Sequence, residues 1–270
     1  MRDDDEIRAL VRERYGAIAE GAAQGCGAGS CGCSTATAPD GLDMIGDAYA
    51  GVAGRVEEAD LHLGCGVPTR HAALRPGECV LDLGSGAGND AFIARHEVGA
   101  EGRVIGVDMT PEMLARARRN AATRGFTNVE FRLGEIEHMP VETGSVDVIL
   151  SNCVLNLLPD KAPAFSEMFR VLKPGGRFCV SDIVATGDLP GPVRAAAGLY
   201  VGCVAGALPE AEYLALIHAA GFTEVRLAEV KPIDLPEEVL RPEMDEAAIA
   251  AFRASGTGLK SVTVLGVKPR

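Results

Sequence analysis

The sequence predicts an α/β protein built on a doubly wound, mostly parallel sheet of seven strands. Three observations predict it. Short apolar runs alternate with helical patterns, as in successive strand–helix–strand units. One run, Cys79 to Leu83, leads through Gly84-Ser-Gly-Ala-Gly88 into a helix opened by Asn89, with Phe92 and Ile93 facing inward. The next run, Arg103 to Val107, ends in Asp108, about 20 residues beyond Gly88, which the fold places beside the glycine loop.

The order of elements begins with an amphipathic helix from Asp3 to Glu20. Ile7, Leu10, Val11 and Ile18 share a face, and acids fill the first turn, where the helix dipole favours them. From Gly21 to Gly41 the pattern gives way to Gly, Ala, Ser and Thr with Cys26, Cys31 and Cys33, a loop by composition. Spacings of x4 and x1, without Cys-x-x-Cys or a following pair of histidines, argue against zinc. Asp60-Leu-His-Leu-Gly-Cys65-Gly-Val-Pro68 is a tight loop, either at the C-terminal edge of the sheet or beneath it.

After the glycine loop and the Arg103 strand, Thr110 caps a helix begun by Pro111. Val129 to Leu133 is the third strand, followed by Gly134-Glu135-Ile136. There an acid and an apolar residue suit the amine and the ring of an adenine. Ser145 to Leu150 is the fourth strand, and it runs into Ser151-Asn152-Cys153. The first and fourth strands flank the reversal of strand order, so Asn152 and Cys153 are expected to face a bound cofactor. A helix from Ala164 to Leu172 is stopped by Pro174-Gly175-Gly176. Arg177 to Val184, Thr223 to Val230 and Ser261 to Val267 complete the strands. Between the last three lie a helix from Val193 to Tyr200, the Gly202-Cys203 segment and a helix from Pro209 to Ala220, while Pro232 to Gly258 carries no clear pattern. Residues 1–75 form an N-terminal helix and Cys-rich loop, 76–185 the cofactor-binding unit, and 186–270 a C-terminal part with Cys203 and the closing strands.

Composition narrows the function. A chain of 270 residues buries one large core, and a net charge of −12 leaves no basic stripe for nucleic acid. No apolar run reaches the length of a membrane span, and Met1-Arg-Asp-Asp-Asp-Glu6 lacks the pattern of a secretory signal. A cytoplasmic protein without a membrane partner is expected, its eight cysteines mostly reduced. Cys79 and Cys179 fall inside strands as core residues; the other six fall in loops or at element ends.

The loop has Gly-x-Gly-x-Gly preceded by Asp82, not the Gly-x-Gly-x-x-Gly of dinucleotide sites. It therefore resembles the first motif of seven-stranded, S-adenosylmethionine-dependent methyltransferases. Cys65, Cys153 and Cys203 lie in loops positioned to converge on one cleft, where three soft thiolates suit a thiophilic centre. Their contexts are Leu63-Gly-Cys65-Gly, Ser151-Asn-Cys-Val-Leu-Asn-Leu-Leu-Pro-Asp-Lys161 and Gly202-Cys-Val-Ala-Gly-Ala207. With Asp82-Leu-Gly-Ser-Gly-Ala-Gly-Asn-Asp90 and Val107-Asp-Met109, these stretches resemble the arsenite methyltransferases, from about Leu63 to Leu208.

The resemblance implies methyl transfer from S-adenosyl-L-methionine to trivalent arsenic held by Cys65, Cys153 and Cys203. Cofactor contacts are expected from Asp82, Gly84, Ser85, Gly86, Gly88, Asp108, Met109, Glu135, Ile136 and Asn152. The family also implies a disulfide between Cys65 and an upstream cysteine, with Cys26, Cys31 and Cys33 as candidates, and an external thiol reductant such as thioredoxin or glutathione. Two other readings stand beside it: a methyltransferase of another small substrate, and a protein that binds arsenic through thiols without turnover.

Overall fold

The computed structural model describes residues 4–21, 49–195, 204, 206–235 and 237–270. Cys26, Cys31, Cys33 and Cys203 lie outside them. The strands are β1 (Cys79–Leu83), β2 (Arg103–Asp108), β3 (Val129–Leu133), β4 (Val146–Asn152), β5 (Leu172–Ala185), β6 (Thr223–Ile233) and β7 (Leu259–Val267). They form one sheet in the order β3-β2-β1-β4-β5-β7-β6. β7 runs antiparallel to both neighbours, and the other pairings are parallel. The order reverses between β1 and β4, where Leu83 pairs with Ser151. In a doubly wound sheet a crevice opens beyond the carboxyl ends at that point.

β1 is apolar except for Asp82 because both its faces are covered. Leu81 and Leu83 share one buried cluster with Phe165 and Met168 of α4 (Ala162–Val171). Val80 points the other way, into a cluster with Ala91 and Phe92 of α2 (Asn89–Val98) and Leu114 and Ala117 of α3 (Pro111–Thr123). Each such Val, Leu or Phe stabilises the fold by roughly 1.5–3 kcal/mol through removal from water. α1 (Asp4–Glu20) packs on α3, and its most buried side chain, Val11, reaches the cluster of Cys65 and Cys153. A third cluster sits at the C-terminal edge of β5 and joins Cys65, Cys153, Ile183, Ile233 and Leu259. The stretch that carries no sequence pattern covers this cluster through two short helices, Glu237–Leu240 and Glu246–Ala254, the second capped by the Asp245 carboxylate accepting from Ala248 N at 2.8 Å.

Two details differ from the sequence expectation. Pro174-Gly175-Gly176 does not stop α4. The helix ends at Val171 and the strand starts at once. The glycines fall inside β5, where the register against β4 jumps from Val146↔Leu172 to Val148↔Arg177, a place in a strand that tolerates Pro. The expected helix from Val193 to Tyr200 is described only as Gly191–Ala195; its remainder lies outside the described residues. Thr110 occupies the N-cap of α3, but its side chain makes no capping bond. β6 and β7 are the closing pair of strands and lie in the same sheet as the first five. Among the described residues no helix is long and apolar enough to cross a membrane.

Asp182 of β5 is wholly buried and accepts from the Tyr213 hydroxyl at 3.1 Å and from Ile183 N at 3.1 Å. Burial pushes its pKa up to about 7, against the pull of Lys161 and these two bonds. The folded chain therefore holds a proton that the unfolded chain, with an Asp near about 3.9, releases. Stability from this group is complete below pH ~4 and is lost as the pH rises toward 7. We expect Asp182→Asn to flatten that loss in melting temperature between pH 4.5 and 7.5. Parallel melting profiles for the two proteins would remove Asp182 as its source.

Candidate active site

The crevice is walled by the glycine loop, the end of β2, the segment after β3, the end of β4 and one face of α1. Asp82, Gly84, Ser85, Gly86, Asp108, Met109, Glu135, Ile136, Asn152 and Cys153 all line it. Gly88 does not. It caps α2 with φ of +98°, and a side chain there would meet the rings of Phe92 and Phe131. Its role is to seat the helix on the sheet.

The loop is held from below. Ser85 N donates to Val107 O at 3.0 Å, and Gly88 N to Ser85 O at 2.8 Å. One oxygen of Asp108 accepts from Gly86 N at 2.9 Å and the other from Thr110 N at 2.8 Å. The acid at the end of β2 thus laces the loop to the start of α3. A carboxylate offers about four lone pairs, so acceptor capacity remains for hydroxyl groups in the crevice.

Three acids, Asp82, Asp90 and Asp108, are buried together. Burial raises all three pKa values; the charges of Asp90 and Asp108 add to the rise at Asp82, and Asp90 reaches about 6. Asp82 Oδ2, Asp90 Oδ1, Ser85 Oγ and Asn89 Oδ1 have no hydrogen-bond partner among the described residues. Buried polar atoms are costly unless satisfied. A ligand that brings cationic or hydrogen-bond-donating groups satisfies them and is favoured by the carboxylate charge.

The Cys65 loop lies at the C-terminal edge of the sheet, which decides between the two places the sequence left open. Cys65 N donates to Asn152 Oδ1 at 3.0 Å, and Cys65 O accepts from Ser261 Oγ at 2.6 Å. The flanking glycines permit this approach. A Cβ on Gly64 would lie 2.6 Å from Asn152 Nδ2, and one on Gly66 2.6 Å from Ser181 Oγ. Cys153 follows β4 with φ of +59°, rare for a residue with a side chain, and its N–H donates to Ser181 O at 2.8 Å. Cys65 and Cys153 are 1% and 2% exposed and share one buried cluster. Both are packed as deeply as core residues, although the sequence puts them in loops. Cys153 lines the crevice and Cys65 sits behind Gly64. Val204 joins the same cluster, but Cys203 itself lies outside the described residues. Among the described residues no group of three His, Cys, Asp or Glu side chains forms a metal site.

Two contributors escaped the sequence reading. Tyr49 donates its one hydroxyl hydrogen to Asp90 Oδ2 at 2.7 Å, with Gly66 O as a second acceptor at 3.2 Å. Burial and the neighbouring Asp90 push its pKa far above 10, so it remains a donor. α1 is the other. Arg8, Val11 and Tyr15 line the crevice, with Arg8 paired to the buried Glu137 at 3.1 Å and Arg12 to Glu135 at 3.7 Å. Their spacing of three and four places them on one helix face, a signal available in the sequence.

A family model described as a methyltransferase domain matches residues 74–221. An arsenite methyltransferase from Halobacterium salinarum is 48% identical over 235 residues, covering 84% of this chain and 60% of that protein. The arsenite methyltransferase of Mus musculus is 31% identical over 266 residues, covering 93% of this chain and 68% of its own. Among solved structures, an arsenic(III) S-adenosylmethionine methyltransferase from Chlamydomonas reinhardtii is similar with a TM-score of 0.61 and 36% identity, covering 72% of this chain and 64% of that one. This chain therefore spans about three fifths of the length of the Halobacterium protein.

The glycines beside Cys65 make a test of this packing. Gly66→Ala drives a methyl into Ser181, whose Cβ would be 2.8 Å away within β5 and cannot swing aside. We expect a loss of about 1–3 kcal/mol in urea denaturation. Gly191→Ala, with open space around it, should stay within about 0.5 kcal/mol of the parent. Equal midpoints for the two variants would mean that the loop does not sit against β5.

Proposed function

Since the chain belongs to the arsenite methyltransferase family, we propose that it transfers methyl groups from S-adenosylmethionine to trivalent arsenic held by Cys65, Cys153 and Cys203. The observation that carries this reading is the burial of Cys65 and Cys153 in one cluster beside a crevice with unsatisfied carboxylates. S-adenosylmethionine carries two cationic centres, an ammonium and a sulfonium, and the unpartnered oxygens of Asp82 and Asp90 suit such a ligand. Asp108 has acceptor capacity left for ribose hydroxyls, and Glu135 with Ile136 would take the adenine. When bound, the cofactor supplies a methyl group on a positively charged sulfur.

The chain contributes position and dryness. Three thiolates hold arsenic(III) as a pyramid and leave its lone pair unshared, so no proton has to be removed and no base is needed beside Cys153. Correct placement of the two reactants can lower the barrier by roughly 7–11 kcal/mol. Thiols exposed at 1% and 2% keep water from competing for arsenic. Attack of the arsenic lone pair on the methyl group leaves arsenic formally pentavalent. The thiols of Cys65 and one of Cys26, Cys31 or Cys33 would give it two electrons, returning it to the trivalent state and joining as a disulfide. An external thiol, thioredoxin or glutathione, would then reduce that disulfide in a cytoplasmic setting.

The direct test is incubation with arsenite, S-adenosylmethionine and thiol, followed by chromatography of methylated arsenicals. Cys153→Ser should abolish methylation of arsenite while leaving cofactor affinity by calorimetry within about twofold, and X-ray absorption of the parent complex should report three sulfur neighbours. If serine at Cys65, Cys153 and Cys203 in turn left arsenite turnover intact, a methyltransferase of another small substrate would replace this reading.

The redox assignment has its own test. Replacing Cys26, Cys31 and Cys33 together by Ser should preserve arsenite binding and slow only the turnovers that follow arsenic oxidation. Loss of arsenite binding as complete as in Cys153→Ser would place that loop in the binding site instead.

A further inference from the structure

Asn152 stands where the crevice meets the Cys65 loop, and every polar atom of its amide is engaged. Its Nδ2 shares two hydrogens among three acceptors, the Tyr49 hydroxyl at 2.6 Å, Gly66 O at 2.8 Å and Asp90 Oδ2 at 3.1 Å. Its Oδ1 accepts from Cys65 N at 3.0 Å and, more weakly, from the Cys65 thiol at 3.8 Å. Donors and acceptors alternate so that only one orientation of the amide satisfies all of them. Turning it over would set a carbonyl oxygen against Gly66 O and Asp90, and an N–H against Cys65 N–H. Tyr49 locks this orientation by bonding to the same two acceptors, Gly66 O and Asp90 Oδ2.

We propose that Asn152, locked by Tyr49, is the positioning residue for Cys65. It clamps the loop on both sides of the thiol, through Cys65 N and Gly66 O, and ties that clamp to the carboxylate of Asp90 in the crevice. A thiol is a weak hydrogen-bonding group and cannot fix its own direction. Cys65 is therefore aimed by its backbone, and Asn152 holds two of the three backbone atoms on which that aim depends; Ser261 holds the third. A carboxylate at position 152 would not serve, because its second oxygen would oppose Gly66 O and Asp90. The inference deepens the proposed function, since positioning Cys65 matters for methylation only if that thiol binds arsenic.

The test reads the thiol without arsenic. The intact protein is treated with iodoacetamide, and alkylation of Cys65, Cys153 and Cys179 is followed by mass spectrometry of their separate tryptic peptides. Cys179, fully buried within β5, gauges global opening. In Asn152→Ala, Cys65 should alkylate at least tenfold faster than in the parent, with Cys179 unchanged. Unchanged alkylation of Cys65 overturns the proposal. If Asn152→Ala also raises Cys179 labelling, Tyr49→Phe, which removes one hydroxyl, decides by the same ratio of Cys65 to Cys179.

Turnover separates this inference from the reading beneath it. A methylated arsenical already has one valence filled and needs only two thiolates. Asn152 also lines the cofactor crevice, so some loss is common to both arsenicals and their ratio carries the test. At saturating S-adenosylmethionine, Asn152→Ala should lower kcat/KM for arsenite at least threefold more than for methylarsenite. Faster Cys65 alkylation with an unchanged arsenite-to-methylarsenite ratio at saturating cofactor would uphold the positioning role and overturn the three-thiolate site.

Discussion

The parallel pairing of β1 with β4 places Leu83 opposite Ser151, so the two chains leave the sheet side by side and in the same direction. One continues into the glycine loop and the other into Asn152 and Cys153. The crevice and the thiol cluster are neighbours for that reason alone, although their residues are some seventy positions apart in sequence. The antiparallel insertion of β7 beside β5 brings Ser261 to the same edge, where it takes the carbonyl of Cys65. A Cys65 loop drawn from before the sheet is thereby tied to strands from its middle and its end.

Buried carboxylates set the electrostatics of that edge. Burial raises the pKa of Asp82, Asp90 and Asp108, the charges of Asp90 and Asp108 raise Asp82 further, and among the described residues Asp82 and Asp90 each keep an oxygen without a partner. The fold accepts this cost in the region where a cationic ligand offsets it. Asp108 differs from the other two, since both its oxygens accept backbone N–H groups that shape the loop. It is a structural clamp as well as an acceptor, a dual role that the spacing to Gly88 does not reveal.

Strand and loop positions were legible because they depend on local pattern. β1 is apolar but for Asp82 since both faces are covered, and Gly84 to Gly88 punctuate the strand-to-helix turn whatever lies beyond it. Pro174-Gly175-Gly176 misled because a bulge within a strand and a helix stop use the same residues, and only pairing with β4 tells them apart. The burial of Cys65 was not legible either. Its loop looks exposed by composition, yet short helices from residues 237–254 cover the cluster it joins, a contact between distant segments. Tyr49 left no mark at all, being one aromatic residue beside a stretch without periodicity.

Cys65 and Cys153 illustrate a constraint on any site built from sulfur. A carboxylate or an amide can be aimed by hydrogen bonds to its own side chain, as Asp108 and Asn152 are. A thiol that is to bind a soft ligand has to keep its sulfur available, so orientation must come from the main chain. At Cys65 the flanking glycines let the backbone press against Asn152 and Ser181, and bonds at N and O fix it. At Cys153 a left-handed backbone does the same work, held by the bond from its N–H to Ser181 O. Such a backbone costs on the order of 1–3 kcal/mol and persists only where its surroundings over-determine it. Ser181 is common to both, its carbonyl holding Cys153 and its side chain setting how closely Gly66 can approach, so a single residue of β5 gauges the placement of both thiols.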